Sequence, residues 1–329
     1  MSSRPLACIL ASVTTVFALA LPQISARADE SGCPILSCLT GTCFENSEEE
    51  KPEEPKCSYG PCDCQPRKTL LQWSYGTSFS GGPPGWDEPL QSDRPGFTVS
   101  PNTVGRGVVQ LEAGYAYFLD HDAGMTENQH QFPDTLWRIG MFAEWFEWRI
   151  EYNYSIIDDS FRGPNGPMHH ITSGSLDLLL GAKICLTPQE GILPNMGIIP
   201  QLAVPSGSPS MTSGEVLPGL VWAYEWEIKK WTIECLTSIN RGRDDADQSF
   251  TEFAQAVNVS YEFNKKLGGY VEWVLISPTG SRLEKTEHSS DGGFFYHVTN
   301  NLQLDIEAGL GLNAAAPDFF AGAGFCARF

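Results

Sequence analysis

The stretch from Leu302 to Phe329 most constrains what this chain can become. In Leu302-Gln303-Leu304-Asp305-Ile306-Glu307-Ala308-Gly309-Leu310-Gly311-Leu312-Asn313 every even-numbered residue is apolar and every odd-numbered one is polar or glycine. Period two marks a β-strand with one apolar and one wet face. After Ala314-Ala315-Ala316-Pro317-Asp318 the alternation resumes. Phe319, Ala321, Ala323, Phe325, Ala327 and Phe329 share one face, and Phe320, Gly322, Gly324, Cys326 and Arg328 share the other. Such a hairpin is too long and too apolar to leave its dry face in water, so it must belong to a larger sheet.

Further strands fill the chain from about 106 onward. Val109–Tyr117, Trp137–Trp145, Trp148–Ile156, Leu176–Ile184 and Leu220–Ile228 alternate clearly, and weaker runs cover Ile198–Val204, Trp231–Asn240, Phe253–Phe263, Tyr270–Ile276 and Phe294–Thr299. With the closing hairpin this makes about twelve, an even number within the range of bacterial membrane barrels. The connections alternate in length. Long ones are expected near 120–134, 157–174, 205–215, 241–250 and 277–291, and short turns at Phe146, Lys229-Lys230, Asn264-Lys265-Lys266 and Asn300-Asn301. The 187–196 link is longer than this rule allows and the 314–318 link shorter. Long loops on one side and tight turns on the other characterise outer-membrane barrels.

The polar parity carries Glu112, Arg138, Glu144, Arg149, Glu151, Asp177, Lys183, Glu225, Glu227, Glu234, Glu272, Asp305, Glu307 and Arg328. Turning these charges inward and the apolar parity towards lipid closes the sheet and satisfies every backbone group, as a bilayer demands. Trp137, Trp145, Trp148, Trp222, Trp226, Trp231, Tyr117 and Tyr224 fall towards strand ends, where interfacial girdles sit. The fold expected is all-β: a transmembrane antiparallel up-and-down barrel of about twelve strands, over residues 92–329, with the strand ending at Phe329 bonded to the one beginning near Val108.

Residues 1–28 read as a signal peptide: Arg4, an apolar core from about Leu6 to Leu21, then Ala26-Arg27-Ala28 before Asp29. The chain carries a formal net charge of -19, which argues against nucleic acid as a partner. Residues 29–91 form a Cys-rich, acidic segment and linker, placed on the periplasmic side by an outer-membrane barrel. Cys33, Cys38, Cys43, Cys57, Cys62 and Cys64 lack the spacing of a zinc knuckle and have no nearby His. An oxidising compartment favours disulfides over metal there, and six cysteines allow 15 pairings.

Ser92-Asp93-Arg94-Pro95-Gly96-Phe97, Gly107-Val108-Val109-Gln110-Leu111-Glu112-Ala113-Gly114-Tyr115, and the ending Asn301-Leu302-Gln303-Leu304-Asp305, Gly309-Leu310-Gly311-Leu312-Asn313 and Ala316-Pro317-Asp318 together resemble the outer-membrane proteins named for the MetA pathway of phenol degradation. The resemblance covers roughly residues 90 to 329. It implies an outer-membrane barrel moving small, aromatic or hydrophobic molecules. Phe329 likewise resembles the C-terminal signature read by the barrel insertion machinery. The Cys-rich segment departs from the family pattern.

The function expected is a channel or transporter for small solutes, a non-enzyme with lipid as its surroundings and no cofactor. Glu112, Arg138, Arg149, Glu151, Asp177, Lys183, Glu225, Glu227, Asp305, Glu307 and Arg328 are the candidate lumen residues, with Arg138, Arg149, Lys183 and Arg328 expected to pair with Glu112, Glu151, Asp177 and Glu307. A rival reading is a structural or binding barrel anchoring the Cys-rich segment. A barrel lipid hydrolase is a third, disfavoured because no Gly-x-Ser-x-Gly elbow is present and His297 is the only histidine expected on a strand. His121, His130, His169-His170, His288 and Asp244-Asp245-Ala246-Asp247 are expected in outer loops, without metal-ligand spacing.

Overall fold

A computed structural model describes residues 67–71, 81–122, 124–163, 166–244 and 246–329. The predicted signal peptide and the six N-terminal cysteines lie outside the described residues. Thirteen strands follow in order: β1 (Val109–Asp122), β2 (Met125–Gly140), β3 (Phe146–Gly163), β4 (Gly166–Ser175), β5 (Leu178–Thr187), β6 (Asn195–Val204), β7 (Leu217–Ile228), β8 (Trp231–Arg243), β9 (Ser249–Glu262), β10 (Leu267–Thr279), β11 (Glu287–Thr299), β12 (Leu302–Gly311) and β13 (Phe319–Arg328). They form one antiparallel sheet in which β1 bonds both β2 and β13 and β2 bonds β3, so the sheet closes on itself. β4 and β5 stand in succession along β3. Phe146–Glu151 pairs with β5 and Tyr154–Gly163 with β4, so the ring has twelve staves.

The seam forms where the alternation predicts it. β1 and β13 pair from Gln110↔Arg328 to Leu119↔Phe319, and Val109 and Phe329 exchange two backbone hydrogen bonds of 3.1 and 2.8 Å. Chain entry, chain exit and the tight turns share one end of the barrel. The break between β4 and β5 falls at Leu176-Asp177. There the Asp177 carboxylate accepts from Gly207 N (3.0 Å), Ser213 N (2.9 Å) and Ser213 Oγ (2.7 Å), pinning the link between β6 and β7 against the bend.

Several boundaries differ from expectation. The stretches 120–134 and 157–174 are strand, not loop: β1–β2 and β3–β4 continue as long hairpins to Asp122/Met125 and Gly163/Gly166. Their sequences carry polar residues on both parities, which removes the alternation that would reveal them. His121, His130, His169 and His170 therefore lie on strands, as does His288 because β11 begins at Glu287, and His297 is not alone there. Met141–Trp145 is the turn after β2 rather than its end, and the 187–196 link shrinks because β5 runs to Thr187 and β6 starts at Asn195.

The side chains are distributed inside out relative to a water-soluble protein. Trp137, Trp148, Leu180, Trp222, Val271, Leu304 and Ile306 are exposed, while Glu112, Arg138, Lys183 and Glu272 are almost fully buried. The inner face is not uniformly polar, as the alternation predicts it to be. On β6 to β10 the inward parity also carries an apolar cluster, Ile199, Val221, Leu236, Ala254, Ala256, Val274 and Ile276, with Phe97 and Val99 packed on it.

Candidate functional site: the lumen and its inserted segment

Phe97 and Val99 belong to a segment that runs inside the ring from about 81 to 108. Leu90 fixes its entry, donating its N–H to the Asn300 carbonyl at 2.8 Å. Between Leu90 and Gly107 the segment makes no backbone hydrogen bond to a strand, so its buried amides need other acceptors. Wall carboxylates supply them. Glu112 accepts from Asp93 N (3.0 Å) and Ser92 Oγ (2.9 Å), Glu307 from Gly96 N (2.9 Å), and Glu272 from Phe97 N (2.6 Å) and Thr98 N (2.8 Å). Glu147 accepts from Val104 N (2.7 Å) and Glu144 from Arg106 N (3.1 Å). Charged acceptors make these bonds stronger than neutral ones. Gly96 supplies the positive φ (98°) that turns the chain between Glu307 and Glu272.

Asp93 is the electrostatic centre. Both its oxygens lie 2.9 Å from Lys183 Nζ, Oδ1 lies 3.3 Å from Arg138 Nη1, and Oδ2 accepts from Arg149 Nη1. Burial alone would raise the Asp93 carboxyl, but Arg138, Lys183 and Arg149 beside it hold it well below the usual carboxylate range. Arg138 also bonds Glu147 (2.9 Å), Glu112 (3.2 Å) and the Asn102 carbonyl (2.8 Å), so every arm of its guanidinium is used. The next residue, Arg94, turns the other way. It bonds Asp134 at 2.7 Å and lies 3.4 Å from Asp305. Gly114 and Gly324, paired across the seam, leave room for it: a Cβ on Gly114 would come within 2.5 Å of Arg94 Nη2, and one on Gly324 within 2.6 Å of Arg94 Nε.

The predicted lumen residues divide accordingly. Glu112, Arg138, Arg149, Lys183, Glu225, Asp305 and Glu307 all face the segment. Arg138–Glu112 (3.2 Å) and Arg149–Glu151 (3.5 Å) pair as expected. Two expected pairs do not form. Lys183 goes to Asp93, while Asp177, ~20 Å away along the extended chain, is held by loop amides and a hydroxyl. Arg328 sits at the tight-turn end, donating to the Gly85, Glu88 and Asn300 carbonyls with its guanidinium 4.9 Å from the Trp86 ring, away from Glu307. Glu227 faces a cavity at that same end. Sequence reasoning missed Asp93, Arg94, Asp134 and Glu147. Glu147 was accessible by parity with Arg149; Asp93 and Arg94 lie in an aperiodic stretch that alternation cannot interpret.

The segment leaves a cavity of about 540 Å³ between itself and β7 to β12, reaching the turn residues Asn264 and Lys265. Among the described residues no group of three or more His, Cys, Asp or Glu is placed to hold a metal ion, and Cys185, Cys235 and Cys326 are buried free thiols. At the other rim His169 Nδ1 meets both Ser160 Oγ (3.0 Å) and Asp158 Oδ1 (3.5 Å). One ring nitrogen serves both, so the ring does not bridge acid and hydroxyl as a hydrolytic triad requires.

Comparison with known proteins agrees with this architecture. The COG4313 outer membrane channel from Pseudomonas putida F1 superposes with a TM-score of 0.53 at 13% identity, covering 73% of this chain and all (100%) of that one. The NanC porin (TM-score 0.39, 10% identity, 67% and 98% covered) and the KdgM porin (TM-score 0.38, 13% identity, 67% and 99% covered) are more distant. No curated protein matches the chain in sequence. The sequence profile of the family described as "Putative MetA-pathway of phenol degradation" matches residues 92–329, from the first residue of the Ser-Asp-Arg-Pro motif to the end of the barrel, and the chain belongs to that family.

Proposed function

We propose that the protein is an outer-membrane channel for small solutes with an apolar body, and that the segment from about 88 to 107 is its internal gate. The observation that carries this reading is the apolar cluster on the inward face of β6 to β10, covered by Phe97 and Val99 of a segment that makes no backbone hydrogen bond to a strand between Leu90 and Gly107. A barrel that only needed filling would not require a separate, side-chain-bonded insert to cover an apolar wall. Twelve staves lie between the ~8 that side chains fill and the 16–18 that leave an open channel. The name of the similar Pseudomonas protein, an outer membrane channel, supports the reading. Chemistry on the solute has no part in it, and the tight-turn end is periplasmic.

The test is uptake by cells lacking their general porins and expressing the full chain. Labelled benzoate should enter faster than in the empty-vector strain, and labelled glucose should not. Equal rates for both solutes with and without the protein would overturn the proposal.

A second reading, the barrel as anchor for the Cys-rich segment, draws on one contact. Leu70 and Leu71 donate to the Cys185 and Leu186 carbonyls at 2.9 and 2.7 Å, which ties residues 67–71 to the tight-turn rim. Deleting residues 29–66 separates the two, because a channel keeps its benzoate uptake and an anchor loses its role.

A further inference from the structure

The cavity at the tight-turn end has a chemical bias that the gate does not use. Its wall on β7, β8 and β9 is a grid of inward-facing residues in register: Glu225↔Glu234↔Asn258 in one row and Glu227↔Thr232↔Ser260 in the next, with Glu262 below. Glu225 is committed, accepting from Asn102 and Asn195 at 2.9 and 2.7 Å. The side chains of Glu227, Glu234 and Glu262 have no hydrogen-bond or ion-pair partner among the described residues. A second observation is independent of the carboxylates. Asn258 is only 3% exposed, lines the same cavity, and its Oδ1 has no donor. A buried amide oxygen without a partner is costly, and in a built site it points to a donor that arrives from outside.

The cations that line the cavity do not answer this demand. Arg94 is committed to Asp134 and Asp305, and Lys68 and Lys265 are solvent-exposed. On the adjoining strands β10 and β11 the cavity meets the Tyr270 and Phe295 rings, Tyr270 standing beside Ser260. A compact metal ion does not suit the arrangement, because strands ~4.8 Å apart spread the carboxylates over a surface instead of converging them. A molecule with separated N–H donors and an aliphatic stem does suit it, and about 540 Å³ lies in the range of small-molecule sites, ~300–1,000 Å³.

We infer that this vestibule is a binding site for small organic ammonium cations, amines with one or more protonated nitrogens on a short apolar stem. The amine nitrogens bond Glu227, Glu234 and the Asn258 oxygen, and the stem lies against Tyr270 and Phe295. Binding here does not depend on whether the ligand crosses the gate.

Titration calorimetry on the full chain in detergent at low salt tests it, with spermidine as probe and magnesium chloride and an uncharged diol of matching length as comparisons. Spermidine should bind saturably at one site per chain, the diol not at all, and magnesium should displace it only at far higher concentration. The variant Glu227→Gln/Glu234→Gln should bind at least about tenfold more weakly while keeping the wild-type heat-modifiable gel mobility that reports a folded barrel. Asn258→Leu, which removes the amide oxygen without touching a carboxylate, should also weaken binding. Undiminished affinity in both variants, competition by magnesium as strong as by spermidine, or no saturable binding by the wild type would each overturn the inference.

Discussion

Lys183 Nζ lies 2.9 Å from each carboxylate oxygen of Asp93, and both side chains are sealed from solvent. One residue belongs to the barrel wall and the other to the inserted segment. Their pairing is therefore the electrostatic bond between inserted segment and frame. It is reinforced by Arg138 and Arg149 on the same carboxylate. Removing one partner of a buried ion pair leaves the other charge uncompensated and costs ~3–5 kcal/mol.

Asp93→Asn should consequently loosen the segment while the twelve-stave ring survives. The expected outcome is a larger and noisier single-channel conductance in planar bilayers, with a lower temperature for the folded-to-unfolded gel shift. Conductance identical to wild type would show that the segment does not obstruct the path.

Gly114→Ala should destabilise the protein by ~1–3 kcal/mol through overpacking, because the added methyl meets both the Arg94 guanidinium and the Ala323 carbonyl. Combining it with Arg94→Ala relieves one of the two clashes, so the pair should cost less than the sum of the single changes in a thermal unfolding series. Strict additivity would mean that Arg94 does not occupy the glycine notch.

The lipid-facing parity is testable by depth. Ile306 is exposed in the middle of β12, and Leu312 lies just past its outer end. Ile306→Arg should cost ~2–4 kcal/mol of stability in a bilayer and Leu312→Arg ~0–1 kcal/mol, as for arginine at the midplane and near an interface. Equal effects at the two positions would place Ile306 away from the hydrocarbon.

The outer links should respond to acid. Burial alone would raise the Asp244 carboxyl, but the Ser281 hydroxyl and the Gln248 and Ala246 amides hold it below its ordinary value. A depressed carboxyl stabilises above the unfolded-state value of ~3.9 and loses that contribution as pH falls through the folded-state value. Amide exchange over 246–248 and 280–286 should therefore quicken below about pH 4 in the wild type. In Asp244→Asn it should already be fast at neutral pH, with little further change on acidification.

The barrel was legible because lipid on one side and a lumen on the other impose period two on most staves; Leu302–Gly311 and Leu217–Ile228 show it best. Legibility failed where that contrast is missing. β4, Gly-Pro-Met-His-His-Ile-Thr-Ser-Gly-Ser, stands mostly exposed on an extended hairpin and carries no alternation. β9 and β10 place Ala254, Ala256, Val274 and Ile276 inward, so their inner parity resembles their outer one. The lumen carboxylates Glu112 and Glu307 were identified by parity, as was the Arg138 partner of Glu112, but their partners on the inserted segment were not. Those partners are backbone amides of residues 93 and 96, and a backbone amide leaves no trace in side-chain composition.

The notch for the Arg94 guanidinium is built from one glycine of the first strand and one of the last, Gly114 and Gly324, facing each other at the seam. Neither strand offers that seat alone. It comes into existence only when the two ends of the sheet have met, so the seated arginine reports a closed seam. One side chain of the inserted segment thus clasps from within the joint between the first strand and the last.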